Sequence, residues 1–192
     1  MAPRESSERP VTSTLLSKKV AHALRHDPKA YGLNPDPEGW VPVDDLLLAL
    51  RRQGSAWAVV RKADLERMLA TSSKRRFDIS DDQIRALYGH SLPGRITYAP
   101  KLSPPVLFHG TAPSAWEQIR LEGLRPMRRQ FVHLFSDPTQ AIAVGRRKHP
   151  EPLIVHVDAA GAQTAGVRFF PGNEVVWLVE HVPPEYLTCL TP

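Results

Sequence analysis

"LPGRITYAPKLSPP", residues 92–105, is the stretch on which the organisation of this chain turns. It is rich in proline and ends in Pro104-Pro105, the composition of a boundary. The sequence changes texture across it. We therefore read residues 93–105 as a linker between a first lobe at 13–92 and a second at 106–192, with residues 1–12 a disordered lead-in.

Upstream the periods are helical. Leu15, Leu16, Val20, Ala23 and Leu24 recur at helical spacing, with Ser13 or Thr14 available as an N-cap. Pro28 disfavours helical geometry at Asp27 and ends the helix there, so Arg25 and His26 fall in its last turn. After the turn formers of "NPDPEGW" comes "VDDLLLALRRQG", with Asp44 and Asp45 in a first turn, Leu46, Leu47 and Leu50 on the buried face, and Gly54 as the stop. A third helix spans about 61–71, with Leu65, Met68 and Leu69 inward. "RRFDIS" and "IRALYG", separated by "DDQ", then read as a hairpin, although "ISDDQIRAL" also fits a helix locally. Three helices and a hairpin are the order of a winged-helix unit.

Downstream the chain reads as short strands: "VLFHGT", "FVHLFSD", "PLIVHVDA", "VRFFPG" and "VVWLVE". One clear helix, "PSAWEQIRLEG", is closed by Gly123, and a second runs from Asp137 to Arg147. Too few helices interrupt these strands for a doubly wound parallel sheet. The expected class is α+β, with a mostly antiparallel or split sheet in the second lobe.

Bulk composition narrows the function classes. A chain of 192 residues with 42% hydrophobic and 23% charged residues is an ordinary globular protein. Its formal net charge of +5 tilts towards an acidic partner such as nucleic acid or a phosphorylated ligand. The single cysteine, Cys189, excludes an intramolecular disulfide framework and a cysteine-rich zinc site. No apolar run reaches membrane-spanning length, and the polar start is unlike a signal peptide, so a cytoplasmic protein without membrane contact is expected.

Familiar catalytic signatures are missing: no Gly-rich phosphate loop, GxGxxG, HExxH or GxSxG occurs, and metal-ligand spacing is absent. What remains are arginines and histidines outside the apolar runs. They are Arg25 with His26, Lys74-Arg75-Arg76, Gly89-His90-Ser91, His109-Gly110-Thr111, and Arg128-Arg129 with His133. Each has a plain structural explanation. Cations in a last turn complement the helix dipole, Lys74 to Arg76 suit a solvated basic turn, and His90 and His109 adjoin turn-forming glycines. His133, among Phe131, Val132, Leu134 and Phe135, suits a satisfied core histidine. The functional reading is phosphoryl chemistry. Arginines grip phosphate oxygens bidentately and stabilise developing charge, while a histidine moves a proton near neutral pH.

"LSKKVAHALRHDP", "KRRF", "GHS", "HGT", "PMRRQFVHL" and "GVRFF…VVWLVEHVPPEYL" together resemble, in order and spacing, the RNA (tRNA) 2′-phosphotransferase family. The resemblance runs from about Leu15 to Leu190. It implies a winged-helix RNA-binding lobe followed by an ADP-ribosyltransferase-like split-sheet lobe, with RNA and NAD meeting in the cleft. It also implies an NAD-dependent enzyme that removes an internal RNA 2′-monophosphate. The 2′-phosphate attacks the nicotinamide ribose, and the ribose 2″-hydroxyl then attacks phosphorus. The products are 2′-hydroxyl RNA, nicotinamide and ADP-ribose 1″,2″-cyclic phosphate.

By position, the implied catalytic set is Arg25, His26, Arg76 and Arg129. His109, Gly110, Thr111, His133 and Val176 would serve NAD, and Lys74, Gly89, His90 and Ser91 the RNA. No metal is implied, and a monomer is expected. Val176 falls where many other ADP-ribosyltransferases carry a glutamate. Tyr88, Phe135 and the pair Glu174-Val175 depart from the usual family residues. Two other functions fit the residues: ADP-ribosyl transfer to other nucleic-acid phosphates, and non-catalytic winged-helix nucleic-acid binding.

Overall fold

The computed structural model describes residues 11–190. They form two compact units, one of residues up to 87 with 92–94, the other of 88–91 with those from 95 onward. Residues 1–10, most of the expected lead-in, lie outside the described residues. Val11 and Thr12 are ordered parts of the fold: Val11 packs against the first core, and the Thr12 hydroxyl accepts the Leu15 N–H at 3.2 Å. Thr12 is therefore the N-cap of α1 (Ser13–Arg25), displacing the expected Ser13 or Thr14.

In the first unit, α1 buries Leu16, Val20, Ala23 and Leu24, while Leu15, expected on the same face, is 48% exposed. One helical residue separates Leu15 from Leu16, a rotation of about 100° that carries it off the buried stripe. β1 (Val41–Pro42) leads directly into α2 (Val43–Arg51), whose Leu46 and Leu50 are fully buried. After the short α3 (Ser55–Ala58) comes α4 (Lys62–Ala70), which buries Leu65 and Met68. Each such leucine contributes about 1.5–3 kcal/mol by burial.

The hairpin is real and the local helical alternative is not. β2 (Phe77–Ser80) pairs antiparallel with β3 (Gln83–Ala86), and β1 joins on the other side to give the order β1-β3-β2. The turn is Asp81-Asp82 alone, both at positive φ (47° and 59°), so Gln83 belongs to the strand. That is a two-residue turn of the type whose twist matches a hairpin.

The second unit carries one six-stranded sheet, order β7-β8-β5-β4-β6-β9, antiparallel throughout. In chain order these strands and helices are β4 (Val106–Thr111), α5 (Trp116–Glu122), β5 (Val132–Phe135), α6 (Pro138–Gly145), β6 (Leu153–Asp158), α7 (Ala159–Thr164), β7 (Phe169–Pro171), β8 (Val176–Val179) and β9 (Leu187–Leu190). Cys189 lies on β9, opposite Val155 of β6. With two antiparallel sheets and helices packed outside them, the class is α+β.

Residues 95–105 do not hang free as a linker. Ile96 is buried and its N–H donates to Gln130 Oε1 at 2.9 Å. Tyr98 stands edge-on to Phe131, ring centroids 5.4 Å apart. The Lys101 N–H donates to the Phe169 carbonyl at 3.0 Å. The proline-rich stretch is thus a strap on the second unit. Among the described residues, no helix is long and apolar enough to cross a membrane.

Candidate active site

Two of the arginines singled out in the sequence meet in the first unit. Arg25 closes α1, but it is not exposed: only 9% of its surface is open. Its Nη2 donates to the Arg76 carbonyl at 3.1 Å, and the guanidinium lies 5.3 Å from the centre of the Phe77 ring. The same Arg76 carbonyl accepts the Leu87 N–H at 2.9 Å, while the Arg25 carbonyl accepts that of Leu92 at 3.1 Å. Arg25 therefore holds loop to helix, and the guanidinium is fixed before any ligand arrives.

Ser72 does the equivalent for the basic loop. Its hydroxyl donates to the Lys74 carbonyl at 2.8 Å, and it accepts from Arg76 Nη1 at 3.3 Å. Lys74 and Arg76 are half-buried by this folding. Arg75, in contrast, points out and pairs with Asp78 at 2.8 Å. Arg25 and Arg76 line one cavity of about 410 Å³. His26 caps α1 and is exposed, its ring 6.1 Å from that of His22.

The second unit gathers the histidines on its central strands. His109 of β4 places Nδ1 2.9 Å from the His133 carbonyl of β5. A carbonyl only accepts, so Nδ1 carries the proton. Burial pushes the His109 pKa below the ordinary histidine value, and Lys148 adds to the same direction against the opposing backbone bond. The ring is neutral near pH 7 and offers Nε2 as an acceptor. Thr111 ends the same strand, buried. Tyr88 stands edge-on to His133, ring centroids 5.9 Å apart. Val176 of β8 is buried opposite Phe135 of β5, its N–H donating to Asn173 Oδ1 at 2.7 Å.

Gly110 has a structural duty of its own. A Cβ there would come within 1.9 Å of the Ala141 carbonyl oxygen, because α6 lies directly on β4. Arg129 precedes β5 and much of it faces solvent. Desolvation of its guanidinium, with Arg147 adding like-charge repulsion, lowers its pKa from the usual arginine value; it remains a cation at neutral pH.

Gly89, His90 and Ser91, expected in the first lobe, belong to the second unit. The cause is His90: it is buried, its carbonyl accepts the Gln130 N–H at 3.0 Å, and its Nδ1 lies 3.1 Å from the Tyr98 hydroxyl. Gly89 bends the chain at φ 90°, and Ser91 is exposed. The first unit thus unites Arg25, Arg76 and Lys74 near the exposed His26, and the second unites His109, Thr111 and His133. Sequence reading missed the braces Ser72, Phe77, Tyr98 and Gln130. Of these only Ser72, next to a basic run, carried a local signal. Among the described residues no group of three His, Cys, Asp or Glu could hold a metal ion.

Residues 11–181 match the family described as RNA 2′-phosphotransferase, Tpt1 / KptA family. The chain belongs to that family. A protein of Acetivibrio thermocellus named "Probable RNA 2′-phosphotransferase" is 45% identical over 172 residues, covering 90% of this chain and 94% of that protein. One of Bacillus thuringiensis with the same printed name is 44% identical over 174 residues, 91% and 94% of the two chains. A third, from Streptomyces coelicolor, is 40% identical over 177 residues, 92% and 95%. The RNA 2′-phosphotransferase match spans both units, from the residue before the α1 N-cap to His181 after β8.

Proposed function

We propose that this chain removes an internal 2′-monophosphate from RNA, with NAD as the consumed co-substrate. The observation that carries the reading is the bracing of Arg25 on Arg76 in one cavity, within a chain that matches the family along residues 11–181. Paired arginines neutralise a phosphate and stabilise the charge that develops on it without a metal. A phosphate is already anionic, so its attack requires no carboxylate base. Buried, apolar Val176 suits that chemistry.

In this reading the first unit is a winged-helix RNA-binding lobe and the second an ADP-ribosyltransferase-like lobe. Arg25 and Arg76 hold the phosphate oxygens, Arg129 belongs to the same catalytic set, and His26 delivers a proton to the departing RNA 2′-oxygen. Lys74, Gly89, His90 and Ser91 serve the RNA strand. His109, Gly110, Thr111, His133 and Val176 serve NAD. The residues fit such a ligand: His109 offers a neutral, desolvated ring acceptor on β4, on the same strand face as Thr111 two residues on. When bound, NAD supplies the ribose carbon that accepts the phosphate and nicotinamide as the leaving group. The enzyme acts as a cytoplasmic monomer on tRNA or a similar RNA.

The test is to incubate the protein with NAD and an oligonucleotide bearing one internal 2′-phosphate, then analyse every product. Phosphate-free RNA with ADP-ribose 1″,2″-cyclic phosphate is expected. A persistent ADP-ribose adduct on the RNA would instead identify a transferase that stops at other nucleic-acid phosphates. Binding without any NAD consumption would identify a non-catalytic RNA-binding protein.

A further inference from the structure

The cavity that holds Arg25 and Arg76 continues along one face of α1. Thr14, Ser17, Lys18, Ala21 and Arg25 are spaced at three and four residues and so share that face. The loop carrying Ser73 and Arg76 forms the opposite wall. Lys18, Arg25 and Arg76 line it, and no aspartate or glutamate does, in a chain with 20 acidic residues. Cations gathered in a lining that includes no carboxylate favour an anion.

Six hydroxyl side chains line the cavity. Thr71 donates to the Arg67 carbonyl and Ser72 to that of Lys74, so both are spent within the protein. Among the described residues the side chains of Ser17 and Ser73 form no hydrogen bond, and Lys18 forms no ion pair. Small side chains at Ser17 and Ala21 keep the groove open between the two cations. Lys18 and Arg25 are seven residues apart, about 10 Å along the helix axis. That is too far to share a single phosphate and suits neighbouring phosphates of one strand, since lysine brings a point charge on a flexible stem.

We propose that Lys18, with Ser17 and Ser73, forms a second phosphate subsite, which takes a backbone phosphodiester of the RNA flanking the 2′-phosphate. The proposal rests on the reading of Arg25 and Arg76 as ligands of that 2′-phosphate. It gives the strand a direction, along α1 from Arg25 towards the first turn. Because the subsite touches backbone and not base edges, it holds any sequence equally.

The test uses the full chain and a single-stranded oligonucleotide with one internal 2′-phosphate, its flanking phosphodiesters replaced one at a time by uncharged methylphosphonates. In the unaltered protein, one replacement raises KM for the RNA about tenfold. In Lys18→Ala, KM for the fully charged RNA rises by the same factor, and that linkage ceases to matter. Lys18→Arg restores both. Binding of the same RNA, followed by fluorescence anisotropy across salt, loses about 0.7 from the log–log slope in Lys18→Ala, the share of one phosphate on a single strand. An unchanged KM in Lys18→Ala, additive losses at every linkage, or a raised KM for NAD in place of RNA each overturns the subsite. Should the unaltered protein bind the marked RNA but never turn it over, the reading of Arg25 and Arg76 as catalytic fails. The anisotropy slope still decides for or against Lys18.

Discussion

The two groups of residues proposed for function are built on opposite electrostatic plans. In the first unit permanent cations are fixed by a main-chain carbonyl and a serine, in a cavity lined by no carboxylate. In the second, a histidine on a central sheet strand is stripped of its charge by burial and oriented by a backbone bond. Each plan suits a different kind of ligand. Fixed charge grips a phosphate that ordinary RNA lacks, whereas neutral directional groups suit a nucleotide held by shape and hydrogen bonds.

The largest effect is expected at Arg25. Arg25→Ala should lower turnover by about 10²–10³, the usual cost of one charge-stabilising donor. Arg25→Lys should recover little of it, because lysine lacks the planar fork and the stack on Phe77. Full activity in Arg25→Lys would show that charge alone suffices there. Steady-state rates at saturating RNA and NAD decide this.

On the other side, Gly110→Ala should destabilise the second unit by about 3 kcal/mol or more, as overpacking against backbone is costly. Urea unfolding measures it. A stable variant would mean that α6 can shift off β4.

His109 makes the stability of the second unit depend on pH. Its folded pKa is depressed below the ordinary 6.5, so between the two values the unfolded chain binds more protons. Its contribution to stability is complete above about pH 6.5 and is lost as pH falls through the folded value. Urea midpoints from pH 8 to 5 should decline, and less steeply in His109→Asn. A midpoint that rises on acidification would contradict a neutral buried ring. The smallest expected effect is that of a chelator: in the proposed mechanism arginines stabilise the charge, so EDTA should leave the rate within about twofold. Loss restored by one specific divalent cation would refute that division of labour.

Much of this was legible in the chain. The apolar periods of 46–50 and 65–68, and the glycine stop at Gly123, located helices, because burial and turn chemistry are local signals. What escaped were elements too short to show a period, β1, α3, α7 and β9, which exist through their partners. The boundary was misplaced for a similar reason. His90 and Tyr98 look like turn and linker until Gln130 and Phe131, some thirty to forty residues on, provide their contacts. Arg25 was found by its place at a helix end. Its burial depended on Arg76 and Phe77, about fifty residues away, and no local pattern reports that.

In the proposed function the cations of the first unit serve the RNA phosphate, and His109 and Thr111 of the second serve NAD. A crossed titration tests it most directly. Rates of Arg76→Ala and Thr111→Ala are measured across a wide range of NAD at saturating 2′-phosphorylated RNA. Thr111→Ala should regain most of its rate as NAD rises, and Arg76→Ala should stay low and flat. Recovery of Arg76→Ala by excess NAD would show that Arg76 serves NAD and not the RNA phosphate.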